Sequence, residues 1–84
     1  MKKERPRILA IDDNPENLIV IGTSLEGDYD VRIASSGLEG LTLARQTPPD
    51  LILLDVMMPG LDGFETCRQF KADTALERIP IIFL

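Results

Sequence analysis

The four residues Leu51-Ile52-Leu53-Leu54 are apolar without interruption and lead straight into Asp55. A strand with one face in water alternates apolar and polar side chains, so a run that never alternates has to bury both faces. Strands of that kind belong to parallel sheets, in which the chain returns from one strand to the next through a crossover helix. The run therefore requires a chain that alternates strand with helix.

The rest of the sequence supplies that alternation. Residues 7–11, RILAI, read as a short buried strand. Asn14 is a helix cap and Pro15 suits the first turn, after which Leu18, Ile21 and Leu25 recur at helical spacing as far as Gly27. Residues 30–34, DVRIA, alternate, with Val31 and Ile33 to one face and Arg32 to the other, as in a half-exposed strand. Ser36-Gly37 opens a second helix with Leu38, Leu41 and Ala44 inward, and Pro48-Pro49 ends it. Pro59-Gly60 and Asp62-Gly63 punctuate a loop, and Asp62 caps a third helix with Phe64, Cys67 and Lys71 on one side. A fourth apolar run, IIFL, follows Pro80.

The order β-α-β-α-β-α-β predicts one α/β domain over residues 1–84, with right-handed crossovers and helices on both faces of the sheet. The alternating second strand reads as an edge, and the first and third read as central. The strand order 2-1-3-4 satisfies both and is the start of the flavodoxin-like order. Its switch point lies between strands one and three, and ligands in such sheets bind beyond the carboxyl ends of the strands there. Asp12 and Asp13 end the first strand and Asp55 ends the third, so three carboxylates are expected in one crevice. Held together they repel unless a cation or protons neutralise them. Mg²⁺ resolves this, because it takes oxygen ligands and keeps several waters. Taken singly, an Asp before Asn14-Pro15 can be a turn residue, and Asp55 can cap a turn.

Composition removes other classes of chemistry. There is no histidine and a single cysteine, Cys67, which argues against a zinc site and excludes a histidine-dependent triad and an intrachain disulfide. A lone cysteine suits a reducing, cytoplasmic setting. A net charge of −5 argues against non-specific binding to nucleic acid or anionic membrane. The basic start, with Lys2, Lys3, Arg5 and Arg7, reads as a solvated tail with no signal-peptide pattern behind it. No apolar stretch approaches the roughly 20 residues of a membrane helix.

The pair Asp12-Asp13, the run LILLDVMMPGLDGFE at 51–65 and PIIFL at 80–84 together resemble the receiver domain of two-component response regulators. The resemblance covers the chain from residue 7 onward. It implies that Asp55 is a nucleophile accepting a phosphoryl group from a histidine kinase or phosphotransfer partner. It also implies Mg²⁺ bound by Asp13, Asp55 and the backbone carbonyl of Met57, with Asp12 acting through water. The donor histidine belongs to the partner, which accords with the absence of histidine here. Pro59 and Gly63 fit a tight turn that presents Asp55, although Gly63 has an equal use in the turn into the third helix. The side chains of Met58, Phe64 and Cys67 read as packing residues.

The family pattern continues with a Ser or Thr after strand four, a Lys after a fifth strand, and two further helices. The sequence stops at Leu84, before all of these. The expectation is that weak Mg²⁺ binding survives while phosphorylation is slow or lost. A second expectation is self-association through the apolar edge of strand four. The alternative function is then a non-signalling receiver fragment that serves as an association module. A third class, a Mg²⁺-dependent phosphohydrolase with an Asp nucleophile, commonly uses D-x-D with the second acid as general acid; here that position is Met57. The chain is therefore not expected to be an enzyme in its own right. A P-loop NTPase is excluded by the lack of G-x-x-x-x-G-K-[ST].

Overall fold

The computed structural model describes residues 5–58 and 62–84. Lys2, Lys3 and the Pro59-Gly60 turn lie outside the described residues. The element order is β1 (Arg7–Ile11), α1 (Pro15–Leu25), β2 (Asp30–Ala34), α2 (Gly37–Gln46), β3 (Leu51–Leu54), α3 (Gly63–Ala72) and β4 (Ile81–Phe83). The strands form one four-stranded sheet in the order β2-β1-β3-β4, and every pairing is parallel. The α/β alternation, the flavodoxin-like order and the central places of β1 and β3 are as the sequence predicts.

Each helix starts where its cap dictates. Asn14 accepts the Glu16 N–H at 2.9 Å, and Pro15 takes the first helical position, where no N–H is needed. Ser36 accepts the Glu39 N–H at 3.1 Å, and Glu39 reaches back to the Ser35 N–H at 2.6 Å. Asp62 accepts the Glu65 N–H at 2.8 Å. Helix α2 ends at Gln46 ahead of Pro48-Pro49, which cannot continue it.

The two faces of the sheet are covered unequally. Leu9, Ile11, Ala34, Ile52 and Leu54 pack with Leu41 and Ala44 of α2, Phe70 of α3, and Met58 and Leu76 in one core. On the other face Leu18 of α1, Ile8 and Ala10 are buried, while Leu51 and Leu53 are only half-buried. β3 is thus apolar on both faces, but α1 shields only the β1–β2 side of its face.

Several inward faces differ from expectation. Leu38 is 66% exposed, and the buried stripe of α2 is Gly37, Gly40, Leu41 and Ala44. The Ser36 cap sets the phase of the helix, and Leu38 lies about 100° from that stripe. In α3 the buried residues are Gly63, Thr66 and Phe70; Cys67 is half-buried against the core, while Phe64 and Lys71 face outward. Phe64 instead rests against Phe83, with ring centroids 5.4 Å apart. The basic start is also more than a solvated tail: Arg5 donates to the Glu26 carbonyl at 2.9 Å, and the Arg7 N–H donates to Asp50 at 2.7 Å.

Candidate functional site

The strand ends bring the acidic residues together. Asp12 follows the last residue of β1 and Asp55 follows the last residue of β3, and the Asp55 N–H donates to the Ile11 carbonyl at 2.9 Å. One carboxylate oxygen from each of Asp12, Asp13 and Asp55 lies within 4.8 Å of the others. Asp12 is buried, Asp13 is exposed and Asp55 is intermediate.

Asp12 is held on both oxygens. Its Oδ1 accepts the Asn14 N–H at 2.9 Å, and its Oδ2 accepts the Asn17 Nδ2 donor at 3.1 Å. The sequence reading does not single out Asn17. A signal for it exists: Asn is unfavourable inside a helix unless its amide has a local task, and Asn17 lies in the first turn after Asn14-Pro15. Asp55 Oδ1 accepts the Met57 N–H at 3.0 Å. Met57 thus meets the site through its backbone, and its side chain is 80% exposed.

The electrostatics follow from this geometry. The Met57 N–H holds the Asp55 carboxyl down, but burial, a hydrogen bond to Asp12 and the charges of Asp12 and Asp13 outweigh it, so its pKa is raised. Among the described residues the ion pairs join Arg32 to Asp30, Arg45 to Asp73 and Arg68 to Glu65, all away from this cluster. Three hard oxygen donors with no basic partner are the donor set that a small divalent cation such as Mg²⁺ takes. The residues present therefore fit that ion.

Gly63 has a close-contact role beyond the turn. A Cβ there would overlap Val56 Cα and the Asp55 carbonyl oxygen, and would lie 2.9 Å from Val56 N. The Gly63 N–H also donates to the Val56 carbonyl at 3.2 Å. The start of α3 is therefore seated directly on the backbone that carries Asp55. Met58 is buried and Cys67 partly buried in the core, as their packing role predicts.

The chain is similar to known proteins. The family model described as "Response regulator receiver domain" matches residues 8–84. The chain is 44% identical over 81 residues to the DNA-binding dual master transcriptional regulator RpaA of Synechocystis sp., covering 94% of this chain and 33% of that protein. It is 40% identical over 79 residues to protein PilH of Pseudomonas aeruginosa, covering 93% of this chain and 65% of that protein. Among solved structures, the N-terminal domain of a response regulator receiver protein from Methanoculleus marisnigri superposes with a TM-score of 0.90 at 44% identity, covering 93% of this chain and 64% of that one. The receiver domain of a sensor histidine kinase from P. aeruginosa, described with a magnesium ion coordinated in its active-site cleft, superposes with a TM-score of 0.88 at 34% identity, covering 94% of this chain and 66% of that one. The chain thus spans a third of the first of these relatives and about two thirds of the solved domains. With its sheet order, its acidic crevice and the match over residues 8–84, this chain belongs to the response regulator receiver domain family.

Proposed function

We propose that the chain is the phosphoryl-accepting module of a two-component signalling system, with Asp55 as the acceptor and a histidine kinase or phosphotransfer protein as its donor. The observation that carries this reading is the convergence of Asp12, Asp13 and Asp55, with carboxylate oxygens within 4.8 Å, beyond the ends of β1 and β3. A carboxylate oxygen of Asp55 attacks the phosphorus of a phosphoimidazole donor. A P–O bond forms, the P–N bond breaks, and its electron pair leaves with the imidazole nitrogen. The Met57 N–H fixes the orientation of the Asp55 carboxylate. Mg²⁺, when bound, neutralises the carboxylates and the charge on the transferred group.

Asp13, Asp55 and the Met57 carbonyl are assigned as direct ligands of that ion. Both oxygens of Asp12 are already engaged by Asn14 and Asn17, which supports its acting through water. The lone cysteine suits a cytoplasmic setting, and among the described residues no helix is long and apolar enough to cross a membrane. The names of relatives that match more than nine-tenths of this chain range from transcriptional regulators to a probable cyclic di-GMP phosphodiesterase. No such activity is assigned to this chain.

The test is intact mass spectrometry after incubation with Mg²⁺ and a small acyl phosphate, alongside Asp55→Asn. A gain of one phosphoryl group by the wild type alone supports the reading. No gain while Mg²⁺ still binds supports a second one, an association module. That reading has its own observation: Ile82, Phe83 and Leu84, at and just beyond β4, are 51%, 43% and 51% exposed.

A further inference from the structure

We propose that Gly40 is a positioning residue for the acidic site: by leaving room for the Ile11 side chain, it holds the end of β1 where Asp12, Asp13 and Asp55 converge. The inference rests on the reading of those carboxylates as a cation-binding, phosphoryl-accepting site. Ile11 is the residue through which both halves of the site are joined. It precedes Asp12 in the chain, and its carbonyl accepts the Asp55 N–H at 2.9 Å. The Asp12 N–H in turn donates to the Ala34 carbonyl at 3.1 Å, so the strand end is tied on both sides. Any displacement of the Ile11 backbone therefore moves Asp12 and Asp55 together.

The Ile11 side chain is fully buried and points at α2. A Cβ on Gly40 would overlap Ile11 Cδ1 and would lie only 2.8 Å from Cγ1 and 3.7 Å from Cγ2. χ2 rotation can turn Cδ1 away, but a β-branched side chain has little χ1 freedom, so Cγ1 stays against the added methyl group in a close-packed interior. Leu41 and Ala44, both buried, hold α2 against the same core. Beyond Ile11 the chain turns through Asp12-Asp13-Asn14, so a push on Ile11 is passed through its hydrogen bonds to the backbone of Asp12 and Asp55. Gly22 is a built-in contrast: it also lies within a helix, yet a Cβ there meets nothing within 4 Å. Gly22 and Gly40 carry the same helix-propensity penalty, and only Gly40 has a close approach to explain it.

The experiment is a titration of the isotope-labelled chain with Mg²⁺ alone, followed by amide NMR, together with thermal melts. The variants are Gly40→Ala, Gly22→Ala, Ile11→Val and the double variant Gly40→Ala/Ile11→Val. Gly40→Ala is expected to shift the Asp12, Asp13 and Asp55 amides in the metal-free protein and to weaken Mg²⁺ binding about tenfold. The double variant lacks Cδ1 and is expected to recover part of both effects. Gly22→Ala is expected to leave both at the wild-type values. A folded Gly40→Ala with wild-type affinity and unmoved amides would overturn the inference, because the side chain alone would then have given way. If Gly40→Ala does not fold, Ile11→Val loosens the same contact from the other side; unmoved site amides there also overturn it. A wild type that fails to bind Mg²⁺ sinks the reading of the site, while the metal-free amide shifts still decide the role of Gly40.

Discussion

At the scale of single residues, Asp55 carries an electrostatic cost, because burial and the charges of Asp12 and Asp13 oppose its ionisation. Its pKa is raised above 3.8, so the folded chain holds that proton more tightly than the unfolded chain does. Below 3.8 the group is protonated in both states and the associated stability is fully present. As pH rises from there through the raised native value, the proton is lost and that stability goes with it. Asp55→Asn removes the titration. The metal-free variant is therefore expected to melt above the wild type at neutral pH and to converge with it in acid, as followed by circular dichroism. A wild type that melts higher at neutral pH would contradict the origin of the shift. Asp73 works in the opposite sense: the Ala75 N–H and Arg45 lower its pKa, so its contribution is present above 3.8 and fades only below it. The two windows are separate, and Asp55→Asn isolates the first. Gly63 offers a steric counterpart. Gly63→Ala drives a methyl group into the backbone of Asp55 and Val56, which cannot rotate away. The expected loss is about 3 kcal/mol, the upper range for overpacking, because a helix-propensity gain of about 1 kcal/mol cannot offset it. Urea denaturation measures it, and an unchanged midpoint would show that α3 slides freely.

At the scale of elements, the caps set the phase of each helix and so decide which residues point inward. Ser36→Ala removes the acceptor for the Glu39 N–H and is expected to cost about 1 kcal/mol, lowering Tm by roughly 4–8 °C in a domain of this size. A melt that does not move would mean that the Glu39 bond to Ser35 suffices alone. The same caps explain what is legible in the sequence. Asn14, Ser36 and Asp62 announce helix starts, and LILL announces a central strand, because composition at those positions is dictated locally. The inward faces of α2 and α3 are harder to read. Leu38 and Phe64 are apolar and look like core residues, but glycines lie in the buried stripes, and at Gly40 and Gly63 the small size permits close approach. A glycine selected for what sits above it leaves no hydrophobic signal in a sequence. The carboxylates are legible because three like charges gathered at two strand ends are costly without a cation to neutralise them. Asn17 leaves only the weaker signal of an Asn inside a helix, because its task depends on the orientation of Asp12 after folding.

At the scale of the whole molecule, the two edges of the sheet are guarded unequally. β2 carries Asp30 and Arg32, paired at 3.9 Å, and charge on an edge strand discourages pairing with another chain. β4 has no charged residue, and among the described residues only β3 lies beside it. Beside it, half-buried Leu51 and Leu53 and the 51% exposed Ile82 form an apolar patch on the part of the α1 face that α1 leaves uncovered. An open edge next to such a patch is the combination that favours association. This chain of 84 residues is therefore expected to self-associate through β4 and not through β2. Ile82→Lys places a charge at the middle of that strand and is expected to return the chain to a monomer, whereas Arg32→Ala on the other edge is not expected to change the mass. Light scattering across a concentration series reads both. A wild-type mass that stays monomeric at every concentration would remove the association reading and leave the acidic crevice as the chain's working surface.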